Sequence, residues 1–221
     1  MFKSNRVAIS LIVFIVIVCS ILFFIIFKNS RKSFKELQFE GFDEKVLSKI
    51  ANISNSKLSY LTETEIDNID ISKYKIIKFE IVKEKRPEVL LMLKEEFKGS
   101  EYNVFYSKVS YDKTPELICI LKSADKYDAL RALKSNGINY DIDTDSLIEK
   151  LKEWEKEYGI EIEGADGDWV DIKFNKLPED IKKFAKEIYE FCPDSVDQGV
   201  GSLEELENYL KVYRGVFLWW D

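Results

Sequence analysis

Residues 143–174 read DTDSLIEKLKEWEKEYGIEIEGADGDWVDIKF, and the character of the chain changes once within them, at Gly159. Before the glycine, Leu147, Ile148, Leu151, Trp154 and Tyr158 recur at helical spacing and would share one face. Ser146 and Glu149 stand at capping-box spacing at the start of that helix. After it, the segment 160–174 reads as two short strands around the turn Gly164-Ala165-Asp166-Gly167. A helix running directly into a hairpin points to helices and strands mixed in one unit.

The same alternation extends in both directions. Downstream, Pro178 at a first helical position, followed by Glu179 and Asp180, opens a helix to about Glu190. Ser202 and Glu205 repeat the capping-box spacing ahead of Leu203, Leu206, Tyr209 and Leu210. The terminal GVFLWWD suits a strand covered on both faces. Upstream, YKIIKFEIV (74–82), YNVFYSKV (102–109) and ELICILKS (116–123) read as strands. Between them, Pro87 opens a helix through Phe97, and Asp125 begins a short helix closed by Gly137 as C-cap. Residues 74–221 are therefore expected to form a single globular α+β (mixed α/β) domain, long enough for one core.

What precedes it is different in kind. Val7 to Phe27 carries no charge and only two serines; as a helix it would rise about 31 Å, the thickness of a bilayer core. The run ends in Ile25-Ile26-Phe27-Lys28 without the small residues of a signal-peptidase site, so residues 7–27 read as an uncleaved transmembrane helix behind a tail of residues 1–6. Lys3 and Arg6 lie before the span, against Lys28, Arg31, Lys32 and Lys35 after it. That balance leans the C-terminal side towards the cytoplasm. Residues 28–73 read as a juxtamembrane stalk or linker, with an amphipathic piece at Asp43 to Ile50 and loops at 52–57 and 67–72.

Charge and composition exclude several classes of function. The chain carries 33 basic and 40 acidic residues, and the first 32 residues hold five of the basic ones and none of the acidic. The remainder keeps 28 against 40, a net of −12, which repels nucleic acid and anionic headgroups and suits a basic protein partner. There is no histidine in 221 residues. That removes Ser-His-Asp and Cys-His arrangements and His-ligated zinc. Of three cysteines one lies in the apolar span, and Cys119 and Cys192 can pair only if their Cα atoms come within about 7 Å.

One loop concentrates the special residues. In FCPDSVDQGVGS (191–202), Cys192 continues the apolar face of the preceding helix, Ile181, Phe184, Ala185, Ile188 and Tyr189, and so reads as a buried thiol just before Pro193. Asp194 reads as a tether for loop amides, Gly199 and Gly201 as turn residues, and Ser202 as a cap. The competing reading gathers Asp166, Asp168, Asp194 and Asp197, with Gln198 beside them, into an acidic pocket for a cation, which makes a Mg²⁺- or Mn²⁺-assisted hydrolase the alternative function. Asp141, Asp143 and Asp145 do not form a calcium loop, because Ser146 and Lys152 occupy the positions that need Gly and Glu. No residue is assigned as catalytic, no cofactor is expected, and Trp219 and Trp220 are read as a buried terminal strand.

SNGINYDIDTDSLIEKLKEWEKEYG, the run from IEGADGDW to ENYL, and the terminal FLWWD together resemble a bacterial family, domain of unknown function 4253, over roughly residues 75–221. The FCPD…QG.G block followed by LWWD is the specific part. The resemblance implies no reaction and gives no residue a catalytic role. Many members of that family have no anchor, which agrees with a domain facing the cytoplasm. The expectation is a membrane-anchored acidic binding domain. Its partners would be the bilayer, through residues 7–27, and a basic protein, in the manner of an immunity protein neutralising a toxin.

Overall fold

Where the apolar residues change period, the backbone changes element. A computed structural model of the chain describes residues 39–66, 69–109 and 114–221. In chain order the elements are α1 (Glu44–Ser54), β1 (Ser59–Tyr60), β2 (Ile76–Ile81), α2 (Arg86–Glu96), β3 (Tyr102–Ser107), β4 (Glu116–Lys122) and α3 (Asp128–Leu133), followed by α4 (Thr144–Tyr158), β5 (Ile160–Ala165), β6 (Trp169–Phe174), α5 (Ile181–Phe191), α6 (Leu203–Tyr213) and β7 (Gly215–Trp219). The expected tail 1–6, the span 7–27 and the stalk up to residue 38 lie outside the described residues. Among the described residues no helix is long and apolar enough to cross a membrane.

The strands form one mixed seven-stranded sheet in the order β1-β2-β4-β3-β5-β6-β7. All neighbours are antiparallel except β3 and β5, which run parallel and pair at a single position, Tyr106 with Gly164. β4 shows why the sheet sits at the centre. Leu117, Cys119 and Leu121 point into one core, and Ile118 and Ile120 into the other. A strand covered on both faces needs such an uninterrupted apolar run. α1 and α2 cover one face, over Ile77, Phe79 and Val104; α3, α4, α5 and α6 pack on the other.

The second core is organised by Trp154. Its ring meets Phe174, Phe184 and Phe191 edge-on, and its Nε1–H donates to Glu187 at 2.8 Å, so a large polar-tipped side chain is buried without leaving its donor unpaired. Gly159 ends α4 at φ +65°, with Asn175 packed where a side chain would stand.

Several local expectations are corrected. The described residues before 74 are part of the domain, not a stalk: Leu47, Ile50 and Leu58 are buried in the core under α1 and α2, and β1 pairs with β2. The amphipathic piece at Asp43 finds its apolar partner in the sheet. α3 is capped by Lys134 at φ +51°, not by Gly137. Gly137 is instead needed for space, because a Cβ there would lie 2.8 Å from the Trp220 ring. The cap of α4 is Asp143, which accepts from the Ser146 amide at 2.8 Å, one turn earlier than the Ser146–Glu149 spacing suggests. Asp180, not Pro178, begins α5 by accepting from the Lys183 amide at 2.9 Å. The β5–β6 turn spans Asp166 to Asp168, since Gly164 and Ala165 remain in the strand. Ser202 does cap α6, accepting from the Glu205 amide at 3.1 Å.

Candidate functional site

The loop from Phe191 to Gly201 and the β5–β6 turn meet at one end of the sheet, with the chain's C-terminal residues threaded between them. α5 stops at Cys192, and Ser195–Val200 form a π-helical turn that ends at Gly201, φ +90°. The wide turn points Ser195 inwards. Its Oγ lies 3.0 Å from Cys192 Sγ and donates to the Phe217 carbonyl at 3.0 Å, while Cys192 Sγ lies 3.0 Å from the Trp219 carbonyl. Cys192 is fully buried, and burial pushes its thiol above the ordinary cysteine value. The buried-thiol reading therefore describes Cys192, and a thiol so held is a poor nucleophile. Cys119 is also buried and free, its thiol raised by burial and by the nearby Asp166 carboxylate.

Asp194 is a tether, and besides Gln198 of its own loop it holds two segments distant in sequence. Its Oδ1 accepts from the Tyr140 hydroxyl at 2.6 Å and its Oδ2 from the Asp221 amide at 3.0 Å. Burial works against its charge, yet the hydrogen bonds from Tyr140, the Asp221 amide and Gln198 outweigh it and hold the carboxyl below the ordinary range. Asp166 accepts from Gly167 at 2.9 Å, Ser107 at 3.1 Å and the Lys108 amide at 3.2 Å. Across the turn, the Asp168 carbonyl accepts from the Trp220 amide at 3.0 Å. The Asp168 carboxyl is raised by partial burial and by the Asp166 and Asp221 carboxylates. Asp197 and Gln198 are exposed on the π-turn, with the Tyr189 hydroxyl 3.4 Å from Asp197.

The structure thus brings Asp166 and Asp168 together with the C-terminus, and Asp194 with Gln198, while Asp197 faces solvent. Among the described residues, no group of three or more His, Cys, Asp or Glu side chains is arranged to hold a metal ion. Beside these carboxylates, Ile138 is 67% exposed and Tyr140 39% exposed, and Asp141 and Asp143 follow them on the surface. An exposed apolar side chain thus lies on a turn that packs against the acidic loops and the C-terminal residues.

A second cluster lies on the opposite face of the sheet, and the sequence reading missed it. Asp171 is 4% exposed, paired across β6 with Gly164 on one side and Phe217 on the other. Its Oδ2 accepts from the hydroxyls of Tyr106 and Tyr213, each at 2.7 Å, and its buried Oδ1 has no partner among the described residues. Burial raises its carboxyl to about 6, against the pull of the two phenols. Both tyrosines are driven well above the usual phenol range, chiefly by burial. The Arg86 guanidinium sits 3.9 Å from the Tyr106 ring centre and pairs at 2.8 Å with Glu116, itself fully buried. Lys173 stacks on Tyr213.

Gly164 makes the cluster possible, because a Cβ there would come within 2.5 Å of the Tyr106 ring. The available signal was Asp171 sharing a strand face with Trp169 and Lys173, opposite the apolar Val170 and Ile172, which reads as an ordinary solvent face.

No curated protein matches the chain, and no solved structure matches it. The family match begins at β4 and is therefore shorter than the resemblance over residues 75–221, leaving α1 to β3 outside it. It takes in both loops of the acidic edge, Asp171 and the terminal LWWD. The C-terminal part of this chain, residues 117–221, is a domain of the family described as Domain of unknown function (DUF4253).

Proposed function

We propose that the chain is a membrane-anchored binding protein whose acidic domain docks a basic protein partner and performs no chemistry of its own. The observation that carries the reading is the edge around Ile138. There the exposed Ile138 and Tyr140 lie on a turn that packs against Gly167, Trp220 and Asp194; Asp141, Asp143, Asp168, Asp197 and Asp221 are exposed on that turn and on the segments it meets, and the Asp168 carboxyl is raised partly by its acidic neighbours. Negative charge beside an apolar surface steers a basic partner and then holds it through desolvated contact. The two described cysteines are buried, and Asp166 and Asp194 spend their oxygens on the fold. Anchoring rests on the uncharged run Val7 to Phe27, and the charges flanking that run favour a domain on the cytoplasmic side. An immunity-type role, in which this edge covers a basic toxin, is the specific form of the proposal.

The test is affinity capture with the full chain beside a variant carrying Asp168→Lys, Asp197→Lys and Asp221→Lys. A basic protein held by the first, released by salt and lost by the second agrees with the reading. Equal capture by both, or capture of no basic protein, refutes it.

A further inference from the structure

A cleft of about 430 Å³ opens where β3 and β5 part, one residue along β5 from the Gly164 that pairs with Tyr106 and Asp171. Parallel strands that begin one bridge and then separate leave main-chain groups without a neighbouring strand. Two lysines take that place. Lys94 of α2 donates to the Ile162 carbonyl at 2.6 Å and to Glu163 at 2.8 Å. Lys126, on the turn before α3, donates to the Ile160 carbonyl at 2.7 Å and pairs with Glu155. One helix lies on each face of the sheet, so the two ammonium groups enter the gap from opposite sides.

The two carbonyls are two residues apart on one strand, a separation of about 6.6 Å. An ammonium group has three N–H donors, and each lysine is seen to use two. A carboxylate has two acceptor oxygens, each of which takes an ammonium donor at about 2.8 Å, and so suits a gap that presents an ammonium group from either side. The rest of the lining selects further. Phe105, Val104 and Ala129 supply apolar wall, and Glu161 stands beside Glu163 on β5. Glu163 is committed to Lys94, whereas the exposed Glu161 makes no ion pair with the described residues. A free anion would meet that carboxylate unfavourably; a molecule carrying an amine next to its carboxylate would not. The volume lies within the range of small-molecule sites.

We propose that this cleft binds a small zwitterion of the α-amino-acid class, its carboxylate between Lys94 and Lys126 and its ammonium on Glu161. Residues on both sides of position 117 build it, so it belongs to the whole domain and not to the family-matching part alone. It is independent of the docking edge around Ile138.

The experiment is thermal unfolding of the full chain with each free L-α-amino acid, beside acetate and methylammonium, which each carry one of the two charges. At about ten times its Kd, a bound amino acid should raise Tm by about 3–6 °C, with neither single-charge control matching it. Lys94→Met would strip the Ile162 carbonyl of its donor and perturb the fold. Glu161→Gln is therefore the decisive variant: it should keep the ligand-free Tm and lose the shift. The proposal is overturned if no amino acid moves Tm, if acetate moves it equally, or if Glu161→Gln retains the full shift.

Discussion

Replacing Asp171 with asparagine tests whether the buried tyrosine–carboxylate cluster costs the fold what its geometry implies. The carboxyl lies 4% exposed, with one oxygen between two phenols and the other without a partner among the described residues. Its folded value of about 6 stands above the ordinary 3.8, so the folded state holds this proton more tightly than the unfolded state does. The penalty is therefore absent well below 3.8, grows as pH rises, and is complete above about pH 6, where it reaches about 3 kcal/mol. From about pH 5 to about pH 7.5 the wild-type protein should lose about 1.4 kcal/mol of stability through this group alone. The amide of the Asp171→Asn variant cannot ionise, so that part of the pH dependence should vanish.

Urea unfolding of both proteins across this range isolates the effect, because other carboxylates cancel in the difference. The wild-type protein should lose stability relative to Asp171→Asn by about 1.4 kcal/mol as pH rises. A difference that is flat with pH, or of opposite sign, refutes the reasoning about this site.

Three further outcomes follow from other parts of the fold. Gly164→Ala places a methyl against the Tyr106 ring, which is pinned by its bond to Asp171, and should cost about 1–3 kcal/mol in a urea titration. Asp194→Asn keeps the side chain's size but weakens the charge-assisted bonds to Tyr140 and the Asp221 amide; it should lower stability by about 1–2 kcal/mol at neutral pH. Because the Asp194 carboxyl is held below its ordinary value, that difference should shrink as pH falls through the acidic range. Cys119 and Cys192 should resist a thiol-reactive chromophore in the folded protein and react once it is unfolded, as followed by absorbance.

The parts legible in the sequence are those governed by local periodicity. α4 was readable because four of its five apolar positions are fully buried on one face, and β4 because a strand covered on both faces leaves no polar interruption. Cys192 followed from extending the face of α5 by one turn. What escaped reading depends on partners distant in sequence. α1 looks like an isolated amphipathic piece until the sheet supplies its apolar surface, so the domain begins earlier than residue 74. Gly137 has the sequence signature of a helix end, yet its lack of a side chain serves a tryptophan more than eighty residues away. Asp171 reads as a solvent-facing residue until Tyr106 and Tyr213, from a different strand and a helix, close over it. The acidic loop was half legible. Asp194 is a tether as expected, but it holds the C-terminus, and no spacing in the loop announces that partner.

The central claim is that the edge around Ile138 is a docking face. Once the basic partner is captured, its affinity should be measured by calorimetric titration against wild type and Ile138→Asp. Ile138 is 67% exposed, so the substitution should leave Tm unchanged. A loss of affinity of about tenfold or more at constant Tm is the result this account predicts. Unchanged affinity would contradict it.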